Sequence, residues 1–373
     1  MYARAEARID LTALRENCAE LRRRIAPDVE LAPVLKADGY GHGAAHCAAA
    51  ALEAGVDRIS VATAGEALEI RAMDPDVPIL VLGALAPGEV EVAVKAGADI
   101  SVWDPQFVDA VANASRAAGR VTGVHVKYDT GMGRLGGIDP EVVLAAADIA
   151  AESPDLKLEA LWTHFATADD QDPAFMDLQR ERLSKLGEKA RAGHPGLKLH
   201  AANSAALILD SATHFDLVRP GVAIYGMDPF GRDPAVHNLR PVLSLHSYVA
   251  TVKHFEPGMS AGYGRTWIAS EPTTVVTVPV GYGDGVRRGL SNQGEVLIGG
   301  GRHRIAGTVS MDNITVDVGD APVSVGDEVT LIGRQGDELI TAEQVASKLD
   351  TINYEVTCGI SPRVTRKLSG GSE

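Results

Sequence analysis

The chain has little of what marks several large protein classes. Of its 373 residues only three are cysteine, at Cys18, Cys47 and Cys358, far apart and with no CxxC spacing. That leaves neither a disulfide framework nor a thiolate zinc site, no metal site is implied, and a reducing compartment is expected. No stretch approaches the roughly 18 apolar residues of a membrane span. The opening MYARAEARIDLTALREN has no apolar core behind its charges, so a cytoplasmic protein without membrane contact is expected. Positive charge is short as well: 35 Lys and Arg stand against 50 Asp and Glu, a formal net charge of −15. Such a surface repels polyphosphate, which argues against nucleic acid as a partner. Low complexity is confined to the terminal SGGSE, and there is no solenoid-length repeat.

What is present is a large globular chain, 45% hydrophobic and 23% charged, which rules out disorder as its main state. Its length predicts two domains. Eight short apolar runs, LAPVLKA, RISVA, PILVLG, ADISVW, VHVKY, LEALWTHF, LKLHA and VAIYG, alternate with alanine-rich helical patterns such as AGEALEIRAM and PEVVLAAADIAAE. Strand and helix in alternation mean βα units on a parallel sheet, and eight of them favour a closed (β/α)8 barrel of TIM type over residues 1–235. From residue 236 to 373 the runs TTVVTVPV, EVLIGG, HRIAGTVS, ITVDVG and DEVTLIG are separated by Gly, Pro and Asp. That half is an α/β chain's mainly antiparallel β domain. The segment ARAEARI alternates and is assigned to the β domain as an added strand; the helix after it, LTALRENCAELRRRI, has Asp10 as its N-cap.

In such a barrel the active site lies at the C-terminal ends of the strands. There the sequence places Lys36, Lys127, His164, and Asn203 with Ser204, while Arg219-Pro220-Gly221 precedes the predicted eighth strand. An amine closing the apolar run LAPVL loses hydration, and desolvation moves a lysine toward nucleophilic use, although it can equally snorkel to solvent or pair with Asp38. Ser204 opens a helical run and is either a phosphate ligand or a plain N-cap. Gly221 allows a phosphate close to the backbone or simply makes a turn. The glycine-rich GYGHG, GMGRLGG and GYGDGVRRG match neither Rossmann nor Walker spacings.

The strings PVLKADGYGHG, VKYDTGMGRLG, THFATAD, HAANSAA, VRPGVAIYG, AGYGRTW, VPVGYGDG, GTVSMDN and TINYEVTCGISPRV stand in the order found in bacterial alanine racemases. The chain resembles that family over nearly its whole length. The resemblance implies an isomerase that uses pyridoxal 5′-phosphate (PLP) to interconvert L- and D-alanine and so supplies D-alanine for peptidoglycan. Lys36 would hold the cofactor as an internal aldimine and serve as one acid/base group; Tyr263, contributed across a homodimer interface, would be the other. Inversion at Cα removes a proton from one face and supplies one to the other, so two opposed groups suit it. Arg219 would face the pyridine nitrogen, where a guanidinium that keeps its proton weakens the electron sink. His164 would bridge Arg219 and Tyr263 and lower the tyrosine pKa. The resemblance further implies a phosphate pocket of Tyr40, Ser204, Gly221, Val222 and Tyr354 with Asn203 beside it. Arg134, Met311 and Asp312 would meet the substrate carboxylate, Tyr282 would lie at the mouth of the site, and Lys127 would be carbamylated to orient Arg134. Ser310 stands where some relatives carry cysteine.

Three rivals are weighed against this. PLP-dependent decarboxylases of the same barrel type use a late Cys-Asp pair, whereas Cys358 is followed by Gly359. A PLP-binding homeostasis protein is a single barrel without residues 236–373. A racemase accepting serine differs in side-chain room, which a retained Tyr354 keeps small.

Overall fold

The computed structural model describes residues 4–370; residues 1–3 and the end of SGGSE lie outside them. The described chain forms two compact units.

One unit, 15–39 with 44–224, is an eight-stranded parallel sheet closed into a barrel. Its strands are Glu30–Leu31, Ile59–Val61, Ile79–Val81, Asp99–Val102, Thr122–Lys127, Leu156–Trp162, Lys198–His200 and Leu217–Val218. The ring closes where Val34 bridges Ser60, with Leu35 N–H donating to Ser60 O at 2.8 Å. Strands covered on both faces carry continuous apolar runs, and Ile59–Val61 and Ile79–Val81 are buried at every position. The helices between them start where their caps dictate. Thr63 and Glu66 form a capping box on Ala64–Met73, and Asp104 and Asp139 cap Pro105–Ala118 and Pro140–Glu152, each opening on proline.

The eighth strand differs from the expected one. VAIYG is a 3₁₀ turn, Val222–Tyr225, and the strand is Leu217–Val218, so Arg219 follows it instead of preceding it. The correction has a local cause: Pro220 offers no N–H for a ladder.

The other unit gathers 1–14, 40–43 and 225–373. Its ten-stranded sheet is antiparallel except where Glu6–Asp10 runs parallel to Thr365–Ser369 while pairing antiparallel with Leu243–Tyr248. Alternating burial along Glu6–Asp10 and Ile314–Gly319 marks one face inside and one outside. Two helices absent from the sequence reading, Ala342–Leu349 and Asn353–Cys358, belong to this unit.

Candidate active site

Lys36 opens a turn, Lys36–Tyr40, that winds left-handedly. Ala37 (φ 53°, ψ 52°), Asp38 (φ 52°, ψ 49°), Gly39 (φ 61°, ψ 44°) and Tyr40 (φ 53°) all take positive φ. L-residues resist this by roughly 1–2 kcal/mol each, so other groups must hold the turn. The Glu66 carboxylate accepts from Ala37 N at 2.7 Å, Ala62 N at 2.8 Å and Thr63 N at 3.1 Å, and Asp38 Oδ1 accepts from Ala44 N at 2.9 Å. Lys36 itself is exposed. Of the two readings offered for it, exposure favours an amine that reaches solvent at the end of the apolar run.

Four strand ends of the barrel unit bring cations and an indole together. Lys127, 2% exposed, closes Thr122–Lys127 and sits with Nζ 4.3 Å from the Trp162 ring centroid. Burial first, then the Arg134 and Arg219 charges, pull its amine down to about 7, with Asp129 opposing. Arg134 is exposed, on a loop shaped by Asp129, whose carboxylate accepts from the N–H of Gly131 (2.9 Å), Gly133 (3.1 Å) and Arg134 (3.0 Å). Burial alone would raise that carboxyl; the backbone donors hold it below its ordinary range.

Arg219, 2% exposed, has the Trp162 ring 4.7 Å from its guanidinium carbon. Its Nη2 donates to Thr163 O at 2.9 Å and Ala201 O at 3.0 Å, and Nη1 donates to His200 Nδ1. Buried arginines usually meet a carboxylate; among the described residues this one forms no ion pair, and its Nε–H has no acceptor. Burial draws it down to about 9, still protonated at neutral pH. His164 is half-buried, with Nδ1 3.5 Å from Arg219 Nη2. Burial, then Arg219, Lys127, Arg134 and Lys36, hold its pKa well below the ordinary histidine value, so its ring is neutral.

On the neighbouring loop the capping role falls to Asn203, whose side chain accepts from Ala206 N at 3.0 Å. Ser204 is thereby left for another task. Its buried hydroxyl accepts from Gly221 N at 3.0 Å and Ala223 N at 3.2 Å, tying helix Ser204–Leu209 to the turn that begins at buried Val222.

In the other unit Tyr40 has Tyr225 at 5.2 Å and Tyr354 at 6.0 Å between ring centroids. Gly41 makes this approach possible: at φ +83° an added Cβ would lie 2.3 Å from Thr357 O, on the helix that carries Tyr354. Farther along, Tyr282 N donates to Ser310 O (3.0 Å) and Gly283 N to Met311 O (2.9 Å), so two loops present Tyr282 and Met311 side by side. Beneath them, buried Asp284 accepts from Gly281 N at 2.9 Å and Arg4 at 2.5 Å, while Asp312 accepts from Arg363 at 2.7 Å. Arg363 holds the Asp312 carboxyl below its usual range.

Tyr263 is 74% exposed, Met311 52% and Tyr282 42%. Only one side of the expected His164 bridge is present in the chain: His164 approaches Arg219, whereas the Tyr263 hydroxyl has no hydrogen-bond partner among the described residues. The sequence reading passed over Trp162, His200, His125, Asp284, Arg4 and Arg363. Of these, the histidines left a signal, each a titratable residue inside an apolar strand run.

Comparison with known proteins gives the family and the fold. The family model described as "Alanine racemase, N-terminal domain" matches residues 9–229, and "Alanine racemase, C-terminal domain" matches 242–368. An alanine racemase of Symbiobacterium thermophilum is 43% identical over 367 residues, covering 98% of this chain and 97% of the relative. The crystal structure of an alanine racemase from D-cycloserine-producing Streptomyces lavendulae superposes with TM-score 0.93 at 37% identity, covering 100% of this chain and 98% of that one. Another, from Bacillus anthracis with bound L-Ala-P, gives TM-score 0.90 at 34% identity over 99% and 96%.

Proposed function

The chain belongs to the alanine racemase family and is an isomerase of that kind; from that premise we propose that it interconverts L- and D-alanine by two-base proton transfer at Cα, with PLP as cofactor. The observation that carries this reading is Arg219: a buried guanidinium without a carboxylate, whose Nε–H has no acceptor among the described residues.

The residues present fit PLP. Arg219 offers a donor for a ring nitrogen, and Ser204 with the Gly221–Val222 backbone, flanked by Asn203, offers a polar cradle for a phosphate. Tyr40 and Tyr354 would complete that cradle. When bound, the cofactor would take the substrate amine covalently and disperse negative charge developing at Cα.

Lys36 Nζ would hold the cofactor, and its amine would carry a proton to or from one face of Cα. The opposite face would belong to Tyr263 of the partner subunit, whose hydroxyl would carry the other proton. Arg134 and the Met311–Asp312 turn hold the substrate carboxylate, and Tyr282 lines the way in. A carbamate on Lys127 would replace a repelled cation with an anion that orients Arg134; an amine near half-neutral at pH 7 supports that chemistry. Tyr354 leaves room for a methyl group and disfavours serine. Because Tyr263 and Met311 would complete a neighbouring barrel, the active species is a homodimer, serving peptidoglycan synthesis in the cytoplasm.

The test is incubation with PLP and L-alanine, L-serine or L-lysine in D2O, following optical rotation and α-deuterium. Racemisation with deuterium entering Cα, fastest for alanine, is expected. No change with any substrate would overturn the proposal.

A further inference from the structure

A line of buried polar groups crosses the inside of the barrel from one pole to the other. At the N-terminal pole Arg58 Nη1 donates to Asp99 Oδ2 at 2.7 Å, and its Nε to Glu30 at 3.1 Å. Asp99 Oδ2 lies 3.5 Å from His125 Nε2, His125 Nδ1 lies 2.9 Å from His200 Nε2, and His200 Nδ1 receives Arg219 Nη1. Both histidines are at most 1% exposed. Gly123 leaves room for the carboxylate, since a Cβ there would stand 2.1 Å from Asp99 Oδ1. Trp162 stacks on His200 at 5.3 Å and 13°.

Valence settles where every proton sits. A guanidinium only donates, so His200 Nδ1 accepts and its proton is on Nε2. That proton goes to His125 Nδ1, which must also accept, so the His125 proton is on Nε2, beside the Asp99 carboxylate. The alternative, His125 Nε2 accepting from Arg58 Nη1 at 3.5 Å, would strip His200 of both protons. An imidazolium at either position would set two N–H groups against each other. Burial lowers the pKa of both rings, in keeping with two neutral imidazoles.

We propose that Asp99, His125 and His200 are positioning residues for Arg219, a relay in which two neutral histidines tie the guanidinium at the C-terminal pole to a carboxylate at the N-terminal pole and so hold its aim. The role of Arg219 toward the cofactor rests on the function proposed above; the tautomers do not.

The test reads both. Long-range ¹H–¹⁵N NMR of the full chain without cofactor assigns histidine tautomers, and racemisation kinetics follow on the loaded enzyme. Both rings are expected to carry the proton on Nε2 in the unsubstituted chain. His125→Phe removes the acceptor of His200 Nε2–H and frees the ring that receives Arg219, lowering kcat about tenfold with KM for alanine within about twofold, as for loss of one aligned hydrogen bond, while Arg219 alone still keeps the His200 proton on Nε2. His125→Gln, which restores an acceptor, should recover most of the lost kcat. If His125→Phe fails to fold, the tautomers of the unsubstituted chain still decide. Either ring protonated on Nδ1, or an unchanged kcat in His125→Phe, would overturn the relay. Relay tautomers in a chain that racemises nothing would instead sink the racemase reading and leave the relay standing.

Discussion

The interior of the barrel and the outward loops of the β unit handle their functional side chains in opposite ways. Inside the barrel, Lys127, Arg219, His200 and Trp162 are each at most 2% exposed, and hydrogen bonds or an aromatic face account for their positions. On the β unit Tyr263, Met311 and Tyr282 stand 74%, 52% and 42% exposed. A half-site with its partners built in can be tuned by burial; one presented outward needs something to cover it. The contrast supports a dimer in which one subunit's finished pole receives its neighbour's unfinished loops.

The sharpest way to break that contrast is Lys36→Ala. It should remove the visible absorption of lysine-bound PLP and at least ~10³-fold of the racemisation rate, since anchor and proton carrier go together; a spectrum that keeps the band would refute the assignment. Next in size, Tyr263→Phe on the outward half should slow L-to-D conversion on the order of 10²–10⁴-fold and wash-in of solvent deuterium from D-alanine far less. Equal losses of solvent-deuterium wash-in from L-alanine and from D-alanine would deny it a one-sided role. Gly281→Ala tests how the outward half is supported: its Cβ would meet Ser310 O at 2.2 Å and Met311 O at 2.5 Å. Strain of roughly 1–3 kcal/mol is expected, seen as a lower denaturant midpoint and a raised KM. A smaller effect concerns pH. The folded Lys127 amine titrates near 7, against 10.5 in the unfolded chain, so between those values the unfolded chain holds the extra proton and stability rises with pH. Lys127→Met should flatten that rise, and a wild-type chain already carbamylated would show none of it, with a mass increment of CO2.

Much of this was legible beforehand, for physical reasons. Barrel strands are covered on both faces, so their apolar runs and strand-end residues Lys127 and His164 stand out in one dimension. Arg219 was placed on the wrong side of its strand because VAIYG is as apolar as a strand, and only a backbone without hydrogen-bond partners betrays the 3₁₀ turn. Which of Asn203 and Ser204 caps the helix stayed open, because capping depends on which of two adjacent oxygens reaches a helix N–H. The exposure of Lys36 was hidden, since no pattern announces five consecutive positive φ angles, 37–41. The His125–His200 pairing joins residues 75 apart in sequence and can be found only in space.

The left-handed turn at Lys36–Tyr40 also has a consequence for how this sequence can drift. Ala37, Asp38 and Tyr40 each occupy a conformation that glycine adopts freely. Replacing Ala37 by Gly should therefore relax the folded chain while letting the lysine wander, and a variant selected for heat tolerance alone would be drawn toward it. Stability and a fixed lysine thus pull this one turn in opposite directions.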